Sequence, residues 1–115
     1  AYRKGLEYNQ SIESVRKQKE LGWNVEINYK RLSETSGVFT IQLVDKSGRI
    51  IKDAEIFLNL RRPSQEGFDF TRQVNFSNGV YKAHVDFPAK GQWEVEAVAQ
   101  KNQDIFQEVK RYVIQ

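Results

Sequence analysis

Cysteine and methionine are both missing from this 115-residue sequence, and histidine occurs once, as His84. Without cysteine there is no disulfide, no thiolate metal site and no thiol nucleophile. Without either sulfur residue, His84 has no soft partner with which to build a copper(I) site. No run of about 18 apolar residues occurs, so no stretch is long enough to cross a bilayer as a helix. No signal-peptide pattern is present either. Charge of one sign is also scarce. A net charge of +3 is too small to argue for a nucleic-acid partner. Glycine-rich phosphate loops are absent, and no serine sits in a nucleophile-elbow pattern.

What is present is the composition of a globular chain, 39% hydrophobic and 29% charged. The length fits one domain, able to bury roughly two-thirds of the surface that its unfolded form exposes. Two regimes divide it. Residues 1–22 carry a thin apolar stripe, Tyr2, Leu6, Tyr8, Ile12 and Val15 with Lys19, at roughly i, i+3/i+4 spacing among polar residues. That spacing predicts an N-terminal α-helical arm, too thinly striped to be buried along its whole length by its own domain. Gly22 stands where a left-handed C-terminal cap is expected.

From Trp23 the period drops to two, and residues 23–115 read as a β-domain. Trp23, Val25, Ile27 and Tyr29 alternate with polar residues, and Arg31 to Ser36 reads as a loop. Phe39, Ile41 and Leu43 follow, then Ala54, Ile56, Leu58 and Leu60, ending at Arg61-Arg62-Pro63, where proline stops ladder pairing. Phe68, Phe70, Val74 and Phe76 alternate before Ser77-Asn78-Gly79, a strong hairpin signal. Tyr81, Ala83, Val85 and Phe87 come next, then Trp93, Val95, Ala97 and Ala99, and a closing strand from about Ile105 to Ile114. About seven strands with turns every 8–12 residues predict a mainly β fold, an immunoglobulin-like sandwich of antiparallel strands preceded by the helix. Tyr112, Trp23 and Trp93 are the expected core anchors.

The supply of catalytic groups is poor. His84 lies opposite the core-facing residues of its strand, so it reads as a surface histidine rather than a metal ligand or general base. A zinc site would need it to join carboxylates such as Asp86, and no ligand spacing suggests one. Glu94 and Glu96 share a strand face, which reads as solvated rather than as a glycosidase pair. Arg61 and Arg62 concentrate positive charge at a strand end, with Lys52 at an unknown distance. They are candidates for gripping a carboxylate or lipid headgroup, against the plainer reading of an exposed loop. Arg72 among phenylalanines reads as a residue extending its charge to water. The Phe68/Phe70 strand reads as core rather than as a stacking surface. No enzyme activity and no cofactor are expected.

The wording of the arm is more specific than its pattern. Gly5-Leu6-Glu7-Tyr8-Asn9-Gln10-Ser11-Ile12 followed by Leu21-Gly22-Trp23 resembles the segment after the membrane anchor in the FixH (CcoH) family, accessory proteins for assembly of cbb3-type cytochrome oxidase. Leu60-Arg61-Arg62-Pro63 is similar to that family's Arg-Pro motif, and Asn78-Gly79-Val80-Tyr81 and Gly91-Gln92-Trp93-Glu94-Val95 to its later hairpins. The resemblance implies a single transmembrane helix upstream of Ala1, which fits a sequence that begins inside a helical pattern and has no methionine. It places the domain on the periplasmic side of a Gram-negative inner membrane. It implies action by contact with oxidase subunits, in the genetic company of nitrogen-fixation genes, a copper-transporting ATPase and an iron–sulfur protein. Tyr2, Leu6, Tyr8, Asn9 and Ile12 are then expected to face a partner or to pack on the sandwich, and Arg3 and Lys4 to lie near lipid headgroups. A homodimer is left open. Two alternatives stand beside this reading. One is a periplasmic copper-binding chaperone on a similar sandwich, and the other is a generic ligand-binding immunoglobulin-like module.

Overall fold

The computed structural model describes residue 16 and residues 19–64 and 67–114. Of the arm, Arg16 and the last turn fall among these. Residues 19–21 are helical, the Gly22 amide donates to the Lys19 carbonyl at 3.2 Å, and Gly22 takes φ 67°, the expected left-handed cap. Residues 1–15 of the arm, Tyr2, Leu6, Tyr8, Asn9 and Ile12 included, lie outside the described residues.

Seven antiparallel strands follow: β1 (Asn24–Arg31), β2 (Ser36–Val44), β3 (Glu55–Arg61), β4 (Phe70–Ser77), β5 (Val80–Asp86), β6 (Gly91–Lys101) and β7 (Asp104–Ile114). The first begins one residue later than the alternation suggests. The fourth begins at Phe70, which leaves Phe68 in the preceding loop. The strand order is β1-β2-β5-β4-β3-β6-β7. Split into β1-β2-β5-β4 and β3-β6-β7, it is the arrangement of a constant-type immunoglobulin sandwich. The expected fold class is therefore the observed one.

One strand belongs to both layers. Phe70 to Val74 of β4 pair with Leu60 to Ile56 of β3, whereas Asn75 to Ser77 pair with Lys82 to Val80 of β5. The sheet thus folds over at β4 and leaves only β1 and β7 as edges. Those edges meet through side chains. The Lys110 ammonium donates to the Ile27 carbonyl at 3.1 Å, and the Tyr29 and Tyr112 rings lie 5.6 Å apart. An inward-reaching lysine of this kind blunts an edge that would otherwise invite another strand. The β4–β5 hairpin closes through Asn78 and Gly79 at φ 54° and 84°, the geometry of the tight turn that Asn-Gly favours.

The core sits between the layers and obeys the period of two. Phe39, Ile41, Leu43, Ile56, Leu58, Leu60, Val85, Trp93 and Val95 are fully buried. Of the expected anchors, Trp93 lies at the centre. Trp23 and Tyr112 are partly buried and pack against the cluster from its margin.

Tyr81 of β5 ties the long β2–β3 connection to this core. Its hydroxyl donates to the Ile51 carbonyl at 2.6 Å and accepts from the Ala54 amide at 3.2 Å. Tyr81→Phe leaves that carbonyl without its donor, an expected loss of about 1–3 kcal/mol in denaturant unfolding. Burial also raises the Tyr81 phenol above its ordinary value of 10.0. The unfolded chain therefore loses this proton first. The stabilisation is full below about pH 10 and is lost as pH rises through the folded value. The wild type should weaken more steeply in alkali than Tyr81→Phe.

Candidate functional site

Alternation along β3 sends Ile56, Leu58 and Leu60 inward and Glu55, Phe57, Asn59 and Arg61 outward. Antiparallel register then places Arg61 opposite Glu94 and Asn59 opposite Glu96 on β6. The Arg61 guanidinium spans both acids, with Nη1 3.1 Å from Glu94 Oε2 and Nη2 2.5 Å from Glu96 Oε1. Asn59 Nδ2 donates to Glu96 Oε1 at 3.2 Å and itself accepts from Thr71 Oγ1 at 3.0 Å. From the other side, Gln107 of β7 donates through Nε2 to Glu96 Oε2. Burial lowers the affinity of Arg61 for its proton, but the hydrogen bonds and charges of Glu96 and Glu94 outweigh it and hold the guanidinium above its ordinary range.

This overturns the reading of Glu94 and Glu96 as a solvated face. Glu96 is buried and Glu94 half-buried, both gripped by Arg61. Alternation marks the pair as outward-facing but cannot show what covers that face or which cation lies across the strand.

Arg62 is engaged differently. Its amide donates to Asp69 Oδ1 at 3.0 Å, its guanidinium lies 5.7 Å from the Trp93 ring centre, and Nη1 donates to the Lys90 carbonyl. Gly91 makes room for this, since a Cβ there would meet the guanidinium at 2.9 Å. The two candidate arginines thus brace the sandwich. Lys52 is not with them, for it precedes β3 whereas the arginines end it. It instead lines an open depression of about 480 Å³ with Asp45, Arg49, Ile50, Ile51, Asp53 and Lys101.

His84 projects outward from β5, as its alternation predicts. Among the described residues, no group of three or more His, Cys, Asp or Glu side chains could hold a metal ion. Phe70 lies edge-on to Trp93 and Phe87 at 5.7 and 6.3 Å, and Phe68 packs against the same core. Neither is a stacking platform. Arg72 extends to solvent, with its guanidinium carbon 4.8 Å from the Phe70 ring centre. No helix among the described residues is long and apolar enough to cross a membrane.

The surface that sequence reasoning missed is the outer face of β3, β6 and β7. Phe57 (9% exposed), Val98 (7%), Asn59 (3%), Glu96 (6%) and Gln107 (5%) all point away from the core between the layers and yet are buried. A signal for it existed. Ile56-Phe57-Leu58 in β3 and Ala97-Val98-Ala99 in β6 are unbroken apolar runs, and such runs mark strands covered on both faces.

No curated protein sequence and no solved structure matches this chain. The family model of FixH matches it over residues 1–113, from the arm almost to the end of β7. With the match running through the Gly5–Ile12 block, the Arg61-Arg62-Pro63 brace and the β6–β7 hairpin alike, the chain belongs to the FixH family.

Proposed function

We propose that this protein is a non-catalytic accessory factor in the assembly of cbb3-type cytochrome oxidase and that it acts by protein–protein contact. In this reading, a single helix upstream of Ala1 tethers it to the inner membrane of a Gram-negative bacterium, with the sandwich on the periplasmic side. Oxidase subunits are the expected partners, with the copper-transporting ATPase as a second one. The observation that carries the reading is the family match over residues 1–113.

The chemistry of the domain is in keeping with it. Arg61, Glu94, Glu96 and Asn59 form a structural network, and the sequence offers no sulfur ligand for copper. With Arg61 bonded to Glu94 and Glu96 and Arg62 bonded to Asp69 and the turn between β5 and β6, contact with the oxidase falls to the arm, through Tyr2, Leu6 and Asn9. On a helix these three residues, spaced i, i+4 and i+7, share one face.

The test is a photo-crosslinker at Asn9 in the full-length, anchored protein, expressed in cells making the oxidase. A crosslink to an oxidase subunit is expected. Leu6→Glu in the crosslinker-bearing protein should abolish that crosslink, and Leu6→Glu combined with Asn9→Lys in the otherwise unmodified protein should reduce active oxidase in the membrane. Normal oxidase maturation in the double variant would overturn the arm contact.

A further inference from the structure

We propose that the connection between β2 and β3 docks on the surface of an anionic phospholipid bilayer, with Ile50 entering the interface and Arg49 and Lys52 meeting lipid phosphates. This loop is a firm platform. Asp45 Oδ1 accepts from the Ser47 and Arg49 amides at 2.8 and 3.0 Å, and the Gly48 amide donates to the Asp45 carbonyl at 2.9 Å. Behind the turn, Ile50 bridges to Val44. The Ile51 amide donates to the Leu43 carbonyl at 2.9 Å, and the Ile51 carbonyl accepts from Tyr81. A loop tied at so many points gives up little freedom on binding.

This backbone sorts the two isoleucines. Ile51 enters the core at 5% exposed, whereas Ile50 remains 43% exposed. Basic side chains stand around it. Arg49 and Lys52 line the same open depression as Ile50, and Lys46 lies in the turn with its stem against Gly22. The turn reaches into open space, since a Cβ at Gly48 would meet nothing within 4 Å.

The two acids of the depression are already engaged. Asp45 is held by the turn amides, and Asp53 Oδ1 lies 3.1 Å from Lys101 Nζ. Among the described residues, the Arg49 and Lys52 side chains have no such partner. Unpaired cations beside an exposed aliphatic side chain match a lipid surface. Each basic residue at an anionic headgroup layer favours binding, and an apolar side chain that reaches the acyl boundary adds to it. A protein partner would need a broader patch than one isoleucine and its basic neighbours. Docking of this loop requires neither the proposed role in oxidase assembly nor a tether, so the chain can be tested on added vesicles.

Because the sequence has no cysteine, Ile50→Cys supplies a single thiol for an environment-sensitive fluorophore. Its emission should shift to the blue with phosphatidylglycerol vesicles and stay unchanged with phosphatidylcholine vesicles. The same fluorophore on Val113→Cys, at the opposite end of the sandwich, should not respond. In the otherwise unmodified chain, Arg49→Gln combined with Lys52→Gln should weaken co-sedimentation with phosphatidylglycerol vesicles by about tenfold or more. Ile50→Ser should weaken it about threefold or more. All three positions are exposed, so circular dichroism should show the fold unchanged. Vesicle binding without a shift at residue 50 would overturn the proposal, since another part of the chain then meets the lipid. A double glutamine variant that binds as well as its parent would do the same. Chemical-shift changes at Arg49 and Lys52 with inorganic phosphate, and no vesicle response, would assign the depression to a soluble phosphate instead.

Discussion

Trp93→Ala is expected to cost about 3–5 kcal/mol of unfolding free energy, the range for deleting a large aromatic side chain from a packed core. Trp93 is fully buried on β6, with Phe87 at 5.2 Å and Phe70 at 5.7 Å, and its Nε1 donates to the Ala89 carbonyl at 2.9 Å. Arg62 lies over its ring and reaches on to Lys90, so the indole also anchors the turn between β5 and β6. A domain of this size holds about 5–15 kcal/mol in total, so the alanine variant should lose between about a fifth and all of its stability. Trp93→Phe keeps much of the apolar contact but leaves the Ala89 carbonyl without its donor, and it should fall between the two. Urea unfolding followed by circular dichroism measures both. A loss below about 2 kcal/mol for the alanine variant would mean that the aromatic cluster repacks around the vacated space.

Arg61→Ala is expected to destabilise by about 2–3 kcal/mol, somewhat less than the loss of one partner from a fully buried ion pair because the guanidinium is partly exposed. The cost arises on the partner's side. Glu96 remains buried on the outer face and, among the described residues, keeps Asn59 and Gln107 as its hydrogen-bond donors. Glu96→Gln in the same chain removes the uncompensated charge and should restore part of the loss. The double variant should therefore be more stable than Arg61→Ala alone, although each single change weakens the wild type. Arg61→Lys should rescue poorly, because a compact ammonium cannot reach both Glu94 and Glu96 as the planar fork does. If the two single losses simply add in the double variant, the network is not coupled and the outer face is wetter than its burial implies.

Period and turn chemistry alone determined the strands of this protein. Alternation over 23–115, the Asn78-Gly79 turn and the Gly22 cap fix the seven strands within a residue or two, because side-chain direction and positive φ are local properties of the chain. The arm's wording determined the family, and neither property needed tertiary information. Tertiary structure decided what the outward-facing residues do. Glu96 reads the same as any exposed glutamate until antiparallel register brings it beside Arg61 and Asn59, the latter 37 residues away in sequence. Lys52 and Arg61 look like one basic cluster until a whole strand is laid between them. The period of two says which side of the sheet a residue faces. Whether that side meets water depends on what packs over it, and that depends on contacts made far along the chain. The burial of Phe57, Val98 and Glu96 on the far side of the sheet is therefore a property of the folded protein.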